Sequence, residues 1–149
     1  EIALAADIII AAENAKFALP EPKVGFAALA SGMHRLPRQV PLKKAMGMML
    51  TGRVVSAAEG KEIGFVTDVV PQGKALEEAK RWAGMMLECS PMAIKATKET
   101  VLTGLTIADL KTAFETKIPG VAKLLSSADH KEGPKAFAEK RKPVWKNEA

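Results

Sequence analysis

Cysteine occurs once in the 149 residues, at Cys89, tyrosine is absent, and aromatics make up 5%. A single thiol excludes an internal disulfide framework and any metal site built from several cysteines. It points to a reducing compartment: the cytoplasm, or an organelle matrix if a targeting segment precedes these residues. Long hydrophobic runs are missing as well. The longest, Ile2 to Ala12, is interrupted by Asp7 and is too short for a membrane-spanning helix. It also lacks the basic lead-in of a secretory signal. Nor does one charge dominate, since 22 basic and 17 acidic residues leave +5, scattered along the chain. No basic strand interleaved with aromatics occurs, so nucleic acid is not the expected partner. A small ligand bearing phosphates suits the mild excess. Finally, Glu1 opens straight into an alanine-rich pattern with no Met and no helix cap. That start reads as the visible part of something longer.

What is present is enough apolar material for one domain: 48% hydrophobic residues against 26% charged. Glu1 to Ala6 reads as the end of a helix, "DIII" as a buried strand, "AENA" as a turn and "KFAL" as a second strand. Residues 22–40 are rich in small residues and poorly periodic, and read as a loop with helical turns. Leu42, Ala45, Met46, Met49 and Leu50 then form a helix face, with Pro41 before it and Gly52 as its stop. "SAAE", Ser56 to Glu59, has the form of a capping box, each side chain serving the other's backbone amide. "FVTDVV" reads as a strand. Beyond residue 72 the pattern turns all-helical: one helix bears Leu76, Ala79, Trp82, Ala83 and Met86, and another runs from Ser90-Pro91 to Gly104. A third carries Ile107, Leu110, Phe114 and Ile118 and breaks at Pro119-Gly120. The last extends from about Asp129 through "HKEGPKAFAEKR". Residues 1–72 thus form a mixed α/β part and residues 73–149 a helical part.

Two carboxylates, Glu1 and Glu21, are separated by helix, strand, turn and strand, so the chain can fold back and bring them face to face. Such a pair around one water can share acid and base work. The plainer alternative makes Glu1 a solvated helix residue and Glu21 a turn residue. Pro20 and Pro22 restrict the backbone on both sides of Glu21 and so aim its side chain. His34 and His130 lack partners at metal-ligand spacing, and no metal is expected. Cys89 reads as a packed thiol. The seven Met, clustered at Met46 to Met49 and Met85 to Met86, read as core filling rather than a ligand surface.

"EIALAADIIIAAENAKFALPEPKVGF", "RLPRQV", "AMGMMLTGRVVSAAEGKEIGFVTDVVP", "SPMAIKATKE" and "EGPKAFAEKRKPVW" resemble, in order, the enoyl-CoA hydratase/isomerase (crotonase) superfamily. The resemblance runs from residue 1 to about 146, and its ending is most similar to the carnitinyl-CoA dehydratase branch. It implies an α/β crotonase-like β-β-α spiral, of which only the C-terminal part is present, then a helical trimerisation region. It implies a homotrimer or dimer of trimers, no membrane, and no cofactor beyond the coenzyme A thioester that is the substrate. Glu1 and Glu21 occupy the positions of the two catalytic glutamates, which add water to a 2-enoyl-CoA in syn fashion. The two backbone amides that hold the thioester oxygen lie upstream of Glu1 in the family, so these residues alone are expected to be inactive. Phe137 and Lys140 match positions that approach the CoA adenine and phosphates, and their spacing puts them on one face of the last helix.

The loop after Glu21 departs from the family's G-x-x-P-G-x-G-G-T-Q-R-L. It reads "GFAALASGMHRL", with Ala28 for the proline and Leu29 and Ser31 for two glycines. Leu29 falls where a glycine amide normally approaches the catalytic water. Its side chain either enters the acyl pocket or pushes the loop outward, and the small neighbours favour the second, which suits a bulky acyl group such as a trimethylammonium-bearing one. Three rivals share these residues. A double-bond isomerase often keeps only one of the carboxylates, so possession of both favours hydration. An RNA-binding relative is disfavoured by the scattered charge. A non-catalytic CoA-binding or oligomer-building subunit is kept open by the altered loop.

Overall fold

The β-branched run does form a strand, displaced toward its C-terminal end: β1 spans Ile10–Ala12. In the computed structural model, which describes residues 1–148, β1 pairs in parallel with β4, Asp68–Val70, Ile10 facing Asp68 and Ala12 facing Val70. Ile9 extends the pairing, donating its amide to the Thr67 hydroxyl and accepting from the Thr67 amide. The second strand shrinks to β2, Lys16–Phe17, antiparallel to β3, Val55–Ser56. The stretch before β1 is a single 3-10 turn, Ala3–Ala5, rather than a helix end.

Residues 22–40 hold more structure than their composition suggests. A 3-10 turn, Glu21–Val24, closes on Gly25 at φ 74°, and helix α1 spans Gly32–Gln39 with Pro37 inside it. Leu36, 1% exposed, anchors α1 in the core, and the Gln39 side-chain amide donates to the Leu4 carbonyl. Burial of that one leucine and the tie to the N-terminal turn outweigh a poor local helix pattern.

Helix α2, Leu42–Thr51, ends on Gly52 at φ 57° as expected, and α3, Ala57–Ile63, follows β3. The capping box is only half made. Ser56 Oγ accepts from the Glu59 amide, but the Glu59 carboxylate takes both Nη atoms of Arg53, at 2.6 and 3.0 Å. A Cβ at Gly60 would lie 2.8 Å from Phe65 Cζ and from Val66 Cγ2, so the return into β4 needs a bare backbone there. The first compact unit, Glu1–Arg81, is built on this core, where Leu4, Leu19, Leu36, Met48, Val55, Phe65 and Val66 are buried and Phe17 stacks edge-on against Phe65 at 5.2 Å.

Helix α4, Ala75–Leu87, carries the boundary between the units, at Arg81 and Trp82, while the composition shift near residue 72 falls ahead of it. In the second unit, α5, Pro91–Gly104, starts on Ser90, whose Oγ accepts from the Ala93 amide. The third expected helix is cut down to α6, Leu110–Glu115, capped by Asp109. Pro119-Gly120 does not break a helix but starts one, α7, Pro119–Ser126. Proline is favoured at a first helical position, and the Gly120 amide donates to Glu99 Oε2 of α5. A Cβ at Gly120 would collide with that carboxylate and approach Ala96 Cα at 3.3 Å, so α5 and α7 cross closely through small residues. Helix α8, Ala128–Ala138, is capped by Ser127. No helix among the described residues is long and apolar enough to cross a membrane. Cys89 is exposed rather than packed, because it follows the end of α4.

Candidate active site

Glu1 is placed by the start of α1. Ser31, the N-cap, sits at φ 79° and makes no capping bond with its side chain. The Glu1 carboxylate does that work instead: its Oε1 accepts from the Gly32 amide at 2.7 Å. A carboxylate at a helix N-terminus answers both an orphan amide and the helix dipole. A Cβ at Gly32 would lie 2.9 Å from that Oε1 and 3.0 Å from the Ala28 Cβ, so glycine is what lets the carboxylate reach the amide. Sequence reasoning passed over this role, although "ASGMHRL" kept the glycine.

Glu21 heads the 3-10 turn between its two prolines, and Gly25 seals the turn by donating to the Glu21 and Pro22 carbonyls. Its Oε2 is shut from solvent with no hydrogen-bond donor reaching it among the described residues. Glu1 lines a cavity of about 180 Å³ with Leu4, Phe17, Leu19, Leu36 and Phe65. Glu21 lines another of about 280 Å³ with Leu19, Ala28, Met33, Met46 and Met49. Leu19 belongs to both walls. The two carboxylates therefore have unlike surroundings, one anchored on an amide, the other with one buried oxygen left without a donor.

Leu29 is 68% exposed, and its amide donates back to the Ala27 carbonyl at 2.8 Å in a tight turn. The amide expected to approach a water is used within the loop. Ala27 and Ala28, not Leu29, line the Glu21 cavity.

These features can be set beside known proteins. Residues 1–148 match the family model for enoyl-CoA hydratase/isomerase. The chain belongs to the enoyl-CoA hydratase/isomerase family. It is 42% identical to the mevalonyl-coenzyme A hydratase SIDH of Beauveria bassiana, over 99% of this chain and 53% of that protein. It is 42% identical to the carnitinyl-CoA dehydratase of Salmonella typhimurium, over 98% of this chain and 57% of the relative. Among solved structures, the enoyl-CoA hydratase of Mycobacterium tuberculosis H37Rv matches with a TM-score of 0.92 at 36% identity, over 98% of this chain and 57% of that one. The enoyl-CoA hydratase of Bacillus anthracis gives 0.91 at 36%, over 97% and 56%. The fold is thus that of the crotonases, and the chain spans about half the length of the relatives it matches.

Phe137 and Lys140, in the second unit, do not share a helix face. Phe137 is on α8 and 87% exposed, but α8 stops at Ala138 and Lys140 stands past it at φ 53°. The Lys140 amide donates to the Phe137 carbonyl and the Arg141 amide to that of Ala136, a Schellman closure with lysine where glycine is usual. Nearby, Lys131, Lys135, Arg141 and Lys146 line an open groove of about 540 Å³. Arg141 is committed to Glu132 and Glu139, and the pairing with Arg141, helped by the Val144 amide, holds the Glu132 carboxyl down at about 2.

Proposed function

We propose that the protein catalyses reversible syn hydration of a 2-enoyl-CoA thioester, with Glu1 and Glu21 on either side of one water. The observation that carries this reading is Glu21 Oε2, a carboxylate oxygen closed off from solvent and left without a donor on a residue that lines an apolar cavity. Such an oxygen costs roughly 1–3 kcal/mol unless something supplies its partner. Glu1, fixed through Oε1 to the Gly32 amide, is oriented to hold the water. In the forward direction the water oxygen bonds to Cβ of the enoyl group, its proton passes to one carboxylate, and a proton from the other reaches Cα. The family's oxyanion amides fall upstream of Glu1, so the polarisation of the thioester is not assigned to these residues.

Phe137 and Lys140 are the residues we assign to the adenine and phosphates of CoA, beside the basic groove. We assign Leu29 to the rim of the acyl site. The helical unit is assigned to self-association as a homotrimer or dimer of trimers, since Leu105, Leu110 and Phe114 are 78–89% exposed. A monodisperse monomer in sedimentation of the full-length protein would exclude that assembly.

The test of the chemistry is Glu21→Gln in the full-length protein. Turnover of a 2-enoyl-CoA should fall on the order of 10² or more while the thioester still binds. Undiminished turnover would remove Glu21 from the mechanism. Glu1→Gln should do the same if the reaction is hydration. Loss in only one of the two variants would favour double-bond isomerisation.

A further inference from the structure

The methionines expected to fill the core do so only in part. Met48 alone of the Met46 to Met49 cluster is deeply buried, at 3%. Met46 and Met49, with Met33 of α1 and Leu50, wall the 280 Å³ cavity that Glu21 faces, and Leu19, Pro22, Ala27 and Ala28 complete it. Apart from the Glu21 carboxylate that wall is hydrocarbon and thioether. A dry apolar cavity of about 150 Å³ accepts one benzene, so this one has room for about ten non-hydrogen atoms. Thioether side chains have soft, adjustable rotamers and suit a flexible chain better than one fixed shape. No aromatic ring is among the residues lining it, whereas a quaternary ammonium group is held best against ring faces.

Resting on the hydratase reading of Glu21, we infer that this cavity receives the acyl tail, and that the tail is an uncharged hydrocarbon of medium length rather than a trimethylammonium-bearing group. Small Ala27 and Ala28 leave the space, and the methionines of α1 and α2 close on the tail. Leu29 then has no part in choosing the tail, because its side chain stands outside the cavity.

Binding can be read without turnover by using saturated thioesters on the full-length protein. Butyryl-, hexanoyl- and octanoyl-CoA are titrated calorimetrically, with γ-butyrobetainyl-CoA as the cationic arm. Affinity should rise at least tenfold from butyryl to octanoyl, and the cationic ester should bind no better than butyryl. Ala27→Leu, which fills the cavity, should cut the octanoyl-to-butyryl ratio at least fivefold. Should that variant fail to fold, Leu50→Asn alters an exposed part of the wall and should cut the ratio at least threefold. A flat series, a ratio unmoved by the variants, or a preference for the cationic ester would overturn the inference. A rising series in a protein that fails to hydrate any enoyl-CoA would sink the hydratase reading and leave the cavity's occupant standing.

Discussion

Residues 1–81 and the residues after them are folded by different means. The first unit has an apolar centre running from Leu4 to Val66, in which every fully buried side chain is hydrocarbon or thioether. The second buries little hydrocarbon, chiefly Met92, Ala96 and Ala136, alongside three polar residues, Ser90, Ser127 and Asp129. Asp129, 2% exposed, is its hub: it accepts from Ser90 Oγ at 2.7 Å and from the amides of Lys146 and Asn147. Burial pushes this carboxyl up, but those bonds and one from the Met92 amide prevail and hold it below its usual range. The C-terminal residues are tied down further, Val144 to Glu132, Trp145 through its indole N–H to the Glu88 carbonyl, and Lys95 Nζ to the Asn147 side chain. Meanwhile Leu87, Leu105, Leu110, Phe114 and Phe137 face outward. One unit buries its apolar surface in its own core and places Glu1 and Glu21 against it; the other closes itself with hydrogen bonds and keeps large apolar side chains exposed.

Both tryptophans, Trp82 and Trp145, belong to the second unit, so indole fluorescence follows it separately from the first. The sharpest challenge to the contrast is Asp129→Ala, which leaves one hydroxyl and several amides without an acceptor. We expect the second unit to lose roughly 4 kcal/mol, seen as an early fluorescence transition in urea, with amide exchange in β1 and β4 unchanged. A single transition, shifted as a whole, would mean that the units are not energetically separate. Leu36→Ala should behave in the opposite sense. It removes about 3 kcal/mol from the first unit and leaves the fluorescence midpoint in place.

Acid gives a smaller effect, to which Glu132 contributes in the second unit. Glu132, held at about 2 by Arg141 and the Val144 amide, has a folded value below its unfolded one. Its contribution is therefore complete above pH of about 4.5 and disappears as pH falls toward 2. Lowering the pH through that window should destabilise the second unit, and Glu132→Gln should flatten the dependence. An acid limb that survives the substitution would assign it to other carboxylates. The smallest effect is a gain. Lys140 holds φ 53°, where glycine is free of strain, so Lys140→Gly should stabilise the second unit by about 0.5–1 kcal/mol. If Lys140 meets a CoA phosphate as assigned, the same variant should bind CoA esters less well, separating its backbone from its charge.

Much of this molecule was open to reading along the chain. Local signals identified β1, β4, α2, α4 and α5, because each rests on periodicity, a β-branched run or a cap that acts within a few residues: Ser90 before Pro91, Gly52 after Thr51. The family was legible in quoted blocks spread from residue 1 to about 146, and with it the candidacy of Glu1 and Glu21. Tertiary structure decided what depends on partners distant in sequence. Helix α1 exists because Leu36 finds the core and Gln39 finds Leu4, neither of which a window around Pro37 contains. Pro119 begins a helix because Gly120 meets Glu99 on α5. Asp129, which the sequence marked only as the approximate start of the last helix, is buried because Ser90 and the C-terminal amides converge on it. The surroundings of the two carboxylates are of the same kind: an amide thirty-one residues away for Glu1, and for Glu21 a cavity walled by α1 and α2. Composition and spacing fix what a backbone does with its neighbours, and only packing fixes which distant group a side chain meets.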